Sequence, residues 1–356
     1  MDLTPDPKPP HALPERIQTS NDPEAASMPR KSSAMTLNDI RRPVEVELEA
    51  FRQYFRSAMK NRVYLLDKVV QYLLRKKGKQ LRPVLVLLTA RACGGITEST
   101  HRAAALVELL HTATLVHDDV VDEADQRRGA FSINALWKNK VAVLLGDFLL
   151  SRGLLLALDH KEYALLHIVS DAVRRMSEGE LLQIEKARKL DIDEETYFTI
   201  ISDKTASLIA ACTACGAQSA GANEEMQTAM RSFGEELGMA FQIRDDLFDF
   251  GVKDVGKPLG IDLQEKKMTL PLIHALSQAD EGEKKEIMRV VRRKRKSQTD
   301  VEKVRAFVGT HSGIEYATRT MMQHADNAME IVLSLPESDA RSALADLVRF
   351  TVTREK

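Results

Sequence analysis

Beyond residue 37, apolar residues recur at helical spacing along nearly the whole chain. Leu65, Val69, Tyr72 and Leu73 form one such set, and Leu106, Leu109, Leu110 and Ala113 another. Steps of three and four put each set on one face of a helix. No run alternates apolar with polar, and the β-branched residues are scattered, so the pattern predicts an all-α protein. Between Asp39 and Lys257 only Pro43 and Pro83 occur, and Pro83 suits a first helical turn. Breaks are expected at Cys93-Gly94-Gly95, Arg128-Gly129, Asp159-His160 and Gly221-Ala222-Asn223. Gly256, Pro258 and Gly260 make 254–269 a loop. Helices of roughly 15 to 25 residues with apolar stripes on more than one face predict a bundle around a central helix pair.

Composition changes this picture at one end only. Seven of the twelve prolines lie between Pro5 and Pro29, and the first aromatic residue is Phe51. Residues 1–38 therefore bury too little apolar surface to offset the entropy of ordering, and a disordered tail is expected ahead of a single domain, 39–356. The balance of 51 Lys+Arg against 52 Asp+Glu leaves a net charge of -1, so no bulk field recruits nucleic acid and any important charge is local. Three cysteines, Cys93, Cys212 and Cys215, cannot build a disulfide framework, and the N-terminus lacks a signal-peptide layout; both point to the cytoplasm. The longest apolar candidate, Val141 to Leu150, contains Asp147 and falls short of a membrane span. The run Arg292-Arg293-Lys294-Arg295-Lys296 reads as a solvated helix end before a turn at Ser297, although transient contact with a membrane surface is a second use for it.

The chemistry is carried by two acidic clusters. In His117-Asp118-Asp119-Val120-Val121-Asp122, Asp118 and Asp122 project from one helical face. Arg244-Asp245-Asp246-Leu247-Phe248-Asp249 repeats the spacing between Asp245 and Asp249, in an apolar setting. A solvated face explains most single pairs of this kind. Two Asp-Asp-x-x-Asp clusters on apolar helices are a different matter, because like charges at this spacing repel unless a cation sits between them. Carboxylate oxygens suit Mg²⁺, whose octahedron is completed by water and substrate phosphate. No Gly turn of a calcium loop is present, and Cys212-x-x-Cys215 lacks partners for zinc, so these cysteines read as small core residues. A phosphate ligand requires further cations. Lys79 and Arg82, Arg127 and Arg128, Lys204, Lys257, Lys266 and Lys267 are candidates.

The segments GKQLRP, ELLHTATLVHDDVVDEADQRRG, GELLQ, KTASL, FQIRDDLFD and GKPLG-DL-EKK-TLPL, in this order, resemble the trans-type polyprenyl diphosphate synthases over residues 40–356. The resemblance implies an isoprenoid-synthase-type helical bundle around a central cavity, a homodimer, and head-to-tail condensation of isopentenyl diphosphate onto an allylic diphosphate. It assigns isopentenyl diphosphate to Lys79, Arg82, His111 and Arg128. The allylic diphosphate falls to Arg127, Lys204, Thr205, Gln242 and Lys257. Asp118, Asp122 and Asp245 would be Mg²⁺ ligands, with Asp119, Asp246 and Asp249 as further carboxylates, for roughly two to three ions per site, Mn²⁺ being a substitute. Asp118, Asp122, Arg127, Lys204 and Asp245 form the implied catalytic set. The chain departs from the pattern at Lys77-Gly78-Lys79, Gly260-Ile261-Asp262-Leu263 and Glu265-Lys266-Lys267.

Charge dictates the expected mechanism. The allylic C–O bond breaks, pyrophosphate leaves, the isopentenyl double bond attacks the allyl cation, and the departing pyrophosphate takes the proton. His111, two turns before Asp118, reads as a phosphate hydrogen-bond partner rather than a base. Ala113 and Thr114 are small where short-product relatives carry an aromatic plug, so the product channel is expected to be open, with Phe148 nominated for its floor. Burial near 0.8 kcal/mol per CH₂ keeps favouring elongation, so a wall must stop growth, at roughly seven to ten isoprene units for a quinone side chain. A terpene cyclase would carry a different second metal motif, a head-to-head synthase lacks the GKQLRP and RRG sets, and a non-catalytic subunit would have lost aspartates that are all kept here.

Overall fold

The chain from Thr36 onward is helix after helix, as the apolar periodicity predicts. The computed structural model describes residues 36–75, 78, 80–127, 130–251, 261–265 and 267–354, with Arg127, Ile261 and Asp262 described by backbone alone. The helices are α1 (Leu37–Arg41), α2 (Glu45–Ala58), α3 (Tyr64–Arg75), α4 (Leu81–Cys93), α5 (Glu98–Val121), α6 (Ile133–Asp159), α7 (Tyr163–Lys189), α8 (Glu194–Ile201), α9 (Ser207–Ser219), α10 (Glu224–Phe248), α11 (Ile261–Gln264), α12 (Leu270–Gln278), α13 (Glu281–Val291), α14 (Gln298–Thr310), α15 (Gly313–Leu333) and α16 (Asp339–Thr353). Thr36 opens α1 with a capping box, and Thr97 and Ser297 do the same for α5 and α14. Breaks fall at the expected Cys93-Gly94, Asp159-His160 and Gly221-Ala222-Asn223.

The expected central pair is α4 and α9. Pro83 to Ala90 are all buried, as is α9 on nearly every face. Helices buried all round need small side chains where backbones meet. A methyl on Gly216 of α9 would stand 2.6 Å from the Val86 carbonyl oxygen of α4, and one on Gly234 of α10 would stand 2.3 Å from Thr213 Oγ1 of α9. Cys212 and Cys215 lie in this core, with burial pushing the Cys212 thiol up to about 12. They pack as small apolar residues and are not thiolates.

Three features depart from the expectation. A two-stranded antiparallel ribbon, β1 (Gln126–Arg127) and β2 (Ala130–Phe131), follows α5; strands of two residues are too short to show alternation. Secondly, the 254–269 loop holds the short helix α11 within its described part. Thirdly, α6 runs 27 residues, kinked at Lys138 (φ 71°), and far outruns the Val141–Leu150 stretch. Its most apolar window has mean hydropathy 2.0 and is only 33% buried, so by length and composition it could cross a bilayer. One face of α6 lies tightly on α5, where a methyl on Gly146 would come 2.1 Å from His117 Nε2 and one on Gly153 3.2 Å from Leu110 Cδ2. These two contacts make α5 and α6 antiparallel. The opposite face exposes Val143, Leu144, Leu154, Leu155 and Leu158.

Candidate active site

Both acidic clusters sit at the C-terminal end of a long helix. Asp122 caps α5 and Asp249 caps α10, and neither helix has a basic residue in its last turn. The negative end of each helix dipole therefore adds to the carboxylates and favours a cation there. α9 packs against both helices and spaces them.

The middle aspartate of each triplet turns inward. Asp119 is 5% and Asp246 6% exposed, whereas Asp118 and Asp122 are exposed and Asp245 and Asp249 half-buried. Asp246 accepts from Tyr197 Oη at 2.7 Å on one oxygen and from Gln242 Nε2 at 2.9 Å on the other. Gln242 Oε1 in turn accepts from Thr205 Oγ1 at 2.9 Å. Tyr197, Asp246, Gln242 and Thr205 thus form one chain of hydrogen bonds, buried at Tyr197 and Asp246 and half-buried at Gln242 and Thr205, which fixes the rotamers around the second cluster. Asp245 is held from the other side. The Arg354 guanidinium donates to Asp245 Oδ1, lies 4.1 Å over the Phe241 ring, and its own carbonyl accepts from Arg244 at 2.7 Å.

Lys204 and Thr205 lie in a π-turn, Ser202–Ala206, inserted between α8 and α9. Such single π-turns concentrate at functional sites because they re-aim side chains. The Lys204 ammonium lies 2.5 Å from Glu180 Oε2 and donates to Gln183 Oε1 at 3.1 Å, both from α7. Next to it Arg175 bridges Asp203, Ser202 and Glu235. Burial alone would raise the Glu235 pKa, but the bonds from Arg175 and Ser202 outweigh it and hold the carboxyl below the usual range.

At the first cluster, the segment after α5 is pinned by the Ala124 carbonyl, which accepts from Ser132 Oγ at 2.5 Å and Asn134 Nδ2 at 3.2 Å. His117 lies 3.6 Å from Asp147 on α6. His111 and Ala113 are buried in α5, and the Thr114 hydroxyl donates back to the His111 carbonyl at 2.8 Å. Phe148 is half-buried on α6. Arg82 sits half-buried in the first turn of α4, after Gln80, whose left-handed backbone (φ 50°) is steadied by a 2.9 Å bond from Arg52 Nε. Lys79, Arg128, Lys257 and Lys266 lie outside the described residues, as does the side chain of Arg127.

Among the described residues no three His, Cys, Asp or Glu side chains gather closely enough to enclose an ion alone. The donor set still fits a hard divalent cation of the Mg²⁺ type. It is all carboxylate, stands at dipole-negative helix ends, and leaves positions for water and phosphate oxygen. The resemblance assigns Thr205 and Gln242 to the allylic diphosphate and Asp246 to the further carboxylates; in the structure Gln242 bonds to both of the others. Sequence reasoning missed Arg175, Tyr197 and Arg354, which act on the site only through distant segments. Glu180 and Gln183 were missed as well, although both lie within GELLQ and carried a local signal.

The sequence profile of the family described as polyprenyl synthetase matches residues 63–308. An all-trans-nonaprenyl-diphosphate synthase (geranyl-diphosphate specific) of Rhodobacter capsulatus is 37% identical over 323 residues, covering 89% of this chain and 97% of that one. Among solved structures, a polyprenyl synthase from Caulobacter crescentus CB15, complexed with calcium and isoprenyl diphosphate, superposes with TM-score 0.81 and 33% identity over 92% of this chain and 100% of its own. A decaprenyl diphosphate synthase from Rhodobacter capsulatus gives 0.84 and 35% over 90% and 100%.

Proposed function

The chain belongs to the polyprenyl synthetase family, and on that premise we propose that it lengthens an allylic diphosphate by successive additions of isopentenyl diphosphate to a long all-trans product, of the kind used for quinone side chains. It is a trans-type prenyltransferase. The observation that carries the reading is the pair of aspartate triplets at the ends of α5 and α10, with the second tied through Gln242 to Thr205 beside Lys204.

Asp118, Asp122 and Asp245 would hold Mg²⁺, or Mn²⁺ in its place, with Asp119, Asp246 and Asp249 completing or orienting the set. When bound, the metal supplies charge neutralisation for pyrophosphate as it departs. Lys204 and Arg127 are assigned to the same leaving group, with Thr205, Gln242 and Lys257, as donors aimed where negative charge develops. Arg82, with Lys79, Arg128 and His111, is assigned to the isopentenyl diphosphate, so that its double bond lies against the allylic carbon when the C–O bond breaks. Pyrophosphate leaves with the bonding pair, the isopentenyl double bond then attacks the allyl cation to form the new carbon–carbon bond, and the proton lost afterwards goes to that pyrophosphate. Small residues at 113 and 114 support a channel for a long product, with Phe148 toward its floor.

The exposed apolar face of α6 supports a homodimer. Cysteines that are all free, two of them buried, support a cytoplasmic location, with Arg292 to Arg295 available for passing contact with an anionic membrane surface. The test is to supply the purified protein with Mg²⁺, farnesyl diphosphate and labelled isopentenyl diphosphate, and to size the dephosphorylated products. Long prenyl chains are expected, and incorporation that survives chelation would refute the reading. Asp118→Asn and Asp245→Asn should each lower kcat by about 10²-fold or more while melting near the wild-type temperature.

A further inference from the structure

The π-turn that carries Lys204 and Thr205 is held from behind by a cluster that neither the motifs nor the family assignment accounts for. Arg175 of α7 donates from Nε to Asp203 Oδ1 at 2.7 Å, and from its terminal nitrogen to Ser202 Oγ and Glu235 Oε1, both at 2.8 Å. Ser202 Oγ donates to the same Glu235 oxygen at 2.7 Å. All three charged groups are mostly withdrawn from solvent, with side chains 21%, 25% and 32% exposed for Arg175, Asp203 and Glu235. One planar guanidinium therefore fastens three elements together: α7, the π-turn and α10. A turn further along the same face of α7, Gly179 lets the helices touch, since a methyl there would stand 2.9 Å from the Lys204 backbone nitrogen.

We propose that Arg175 is a positioning residue for the allylic diphosphate, holding the π-turn so that Lys204 and Thr205 face the substrate. The inference rests on the assignment of Lys204 and Thr205 made above. A π-turn holds one residue more than an α-turn, so its relaxation would rotate the flanking residues by about 100° about the helix axis. Thr205 would then leave Gln242, and Gln242 would lose the partner that orients it toward Asp246. The clamp holds the turn in its π geometry. An ammonium cannot replace it fully, because its three donors sit on one nitrogen, whereas Arg175 reaches Asp203 from Nε and Ser202 and Glu235 from a terminal nitrogen.

The experiment compares Arg175→Met, Arg175→Lys, Asp203→Asn and Lys204→Ala in the full chain by steady-state kinetics against each substrate separately. Arg175→Met should raise KM for the allylic diphosphate at least tenfold and leave KM for isopentenyl diphosphate within twofold. Arg175→Lys should recover part of the loss, and Asp203→Asn should fall between. If Arg175→Met fails to fold, Asp203→Asn, which keeps shape and an acceptor oxygen, carries the same comparison. A folded variant in which both KM values rise together, or neither moves while Lys204→Ala raises the allylic one, would overturn the inference and leave the Lys204 assignment standing. An unmoved allylic KM in Lys204→Ala would bring down that assignment and the clamp's role with it.

Discussion

Ala113 is a buried methyl on α5, five residues before Asp118 and 3% exposed. Because α5 and α6 are locked by close approaches at Gly146 and Gly153, added bulk at 113 cannot be absorbed by sliding the helices apart. Ala113→Phe should therefore shift the product distribution to shorter chains at a stability cost of about 1–3 kcal/mol. Product sizing and a thermal melt on one preparation check it, and an unchanged length distribution removes 113 from the channel. Residues of this kind show how far a sequence can be read. The i,i+4 spacing identified both aspartate pairs, but not that Asp119 and Asp246 turn inward, since spacing reports a helix's own faces and not what packs against them. Tyr197, 49 positions from Asp246, became its partner only through folding.

Among the elements, α10 constrains the π-turn through a backbone contact. Its Gly238 faces the end of the π-turn, where a methyl would come 2.5 Å from the Ala206 Cα and 2.7 Å from its Cβ. Neither atom can swing away, so Gly238→Ala must displace one helix from the other. Expected are a loss of about 1–3 kcal/mol in denaturant unfolding and a raised KM for the allylic diphosphate; an unchanged KM would mean that the turn tolerates the shift. Periodicity foretold α10 but neither the role of its glycines nor the π-turn. One inserted residue shifts the apolar phase by about 100°, but a five-residue turn holds too few apolar positions to display the shift, and only the neighbours that stabilise the insertion, here Arg175 and Glu235, reveal it.

In the molecule as a whole, the exposed stripe of α6 is the feature a single chain leaves unsatisfied. Leu144 is 59% and Leu155 47% exposed on a helix whose other face is fully packed. Leu144→Glu combined with Leu155→Glu should convert the proposed homodimer to monomers in sedimentation while the helical circular dichroism is kept. A variant that remains dimeric would move the interface elsewhere. The apolar periodicity of this chain determined by itself that it folds as helices, and the two aspartate triplets are what pointed to a cation and a phosphate ester. Both are local properties, set by which face of one helix a residue occupies. The tertiary structure alone decided which carboxylates turn inward, where the helix breaks to aim Lys204, and which arginines hold these parts, because each of those depends on groups far apart in sequence whose contact exists only after the helices have packed.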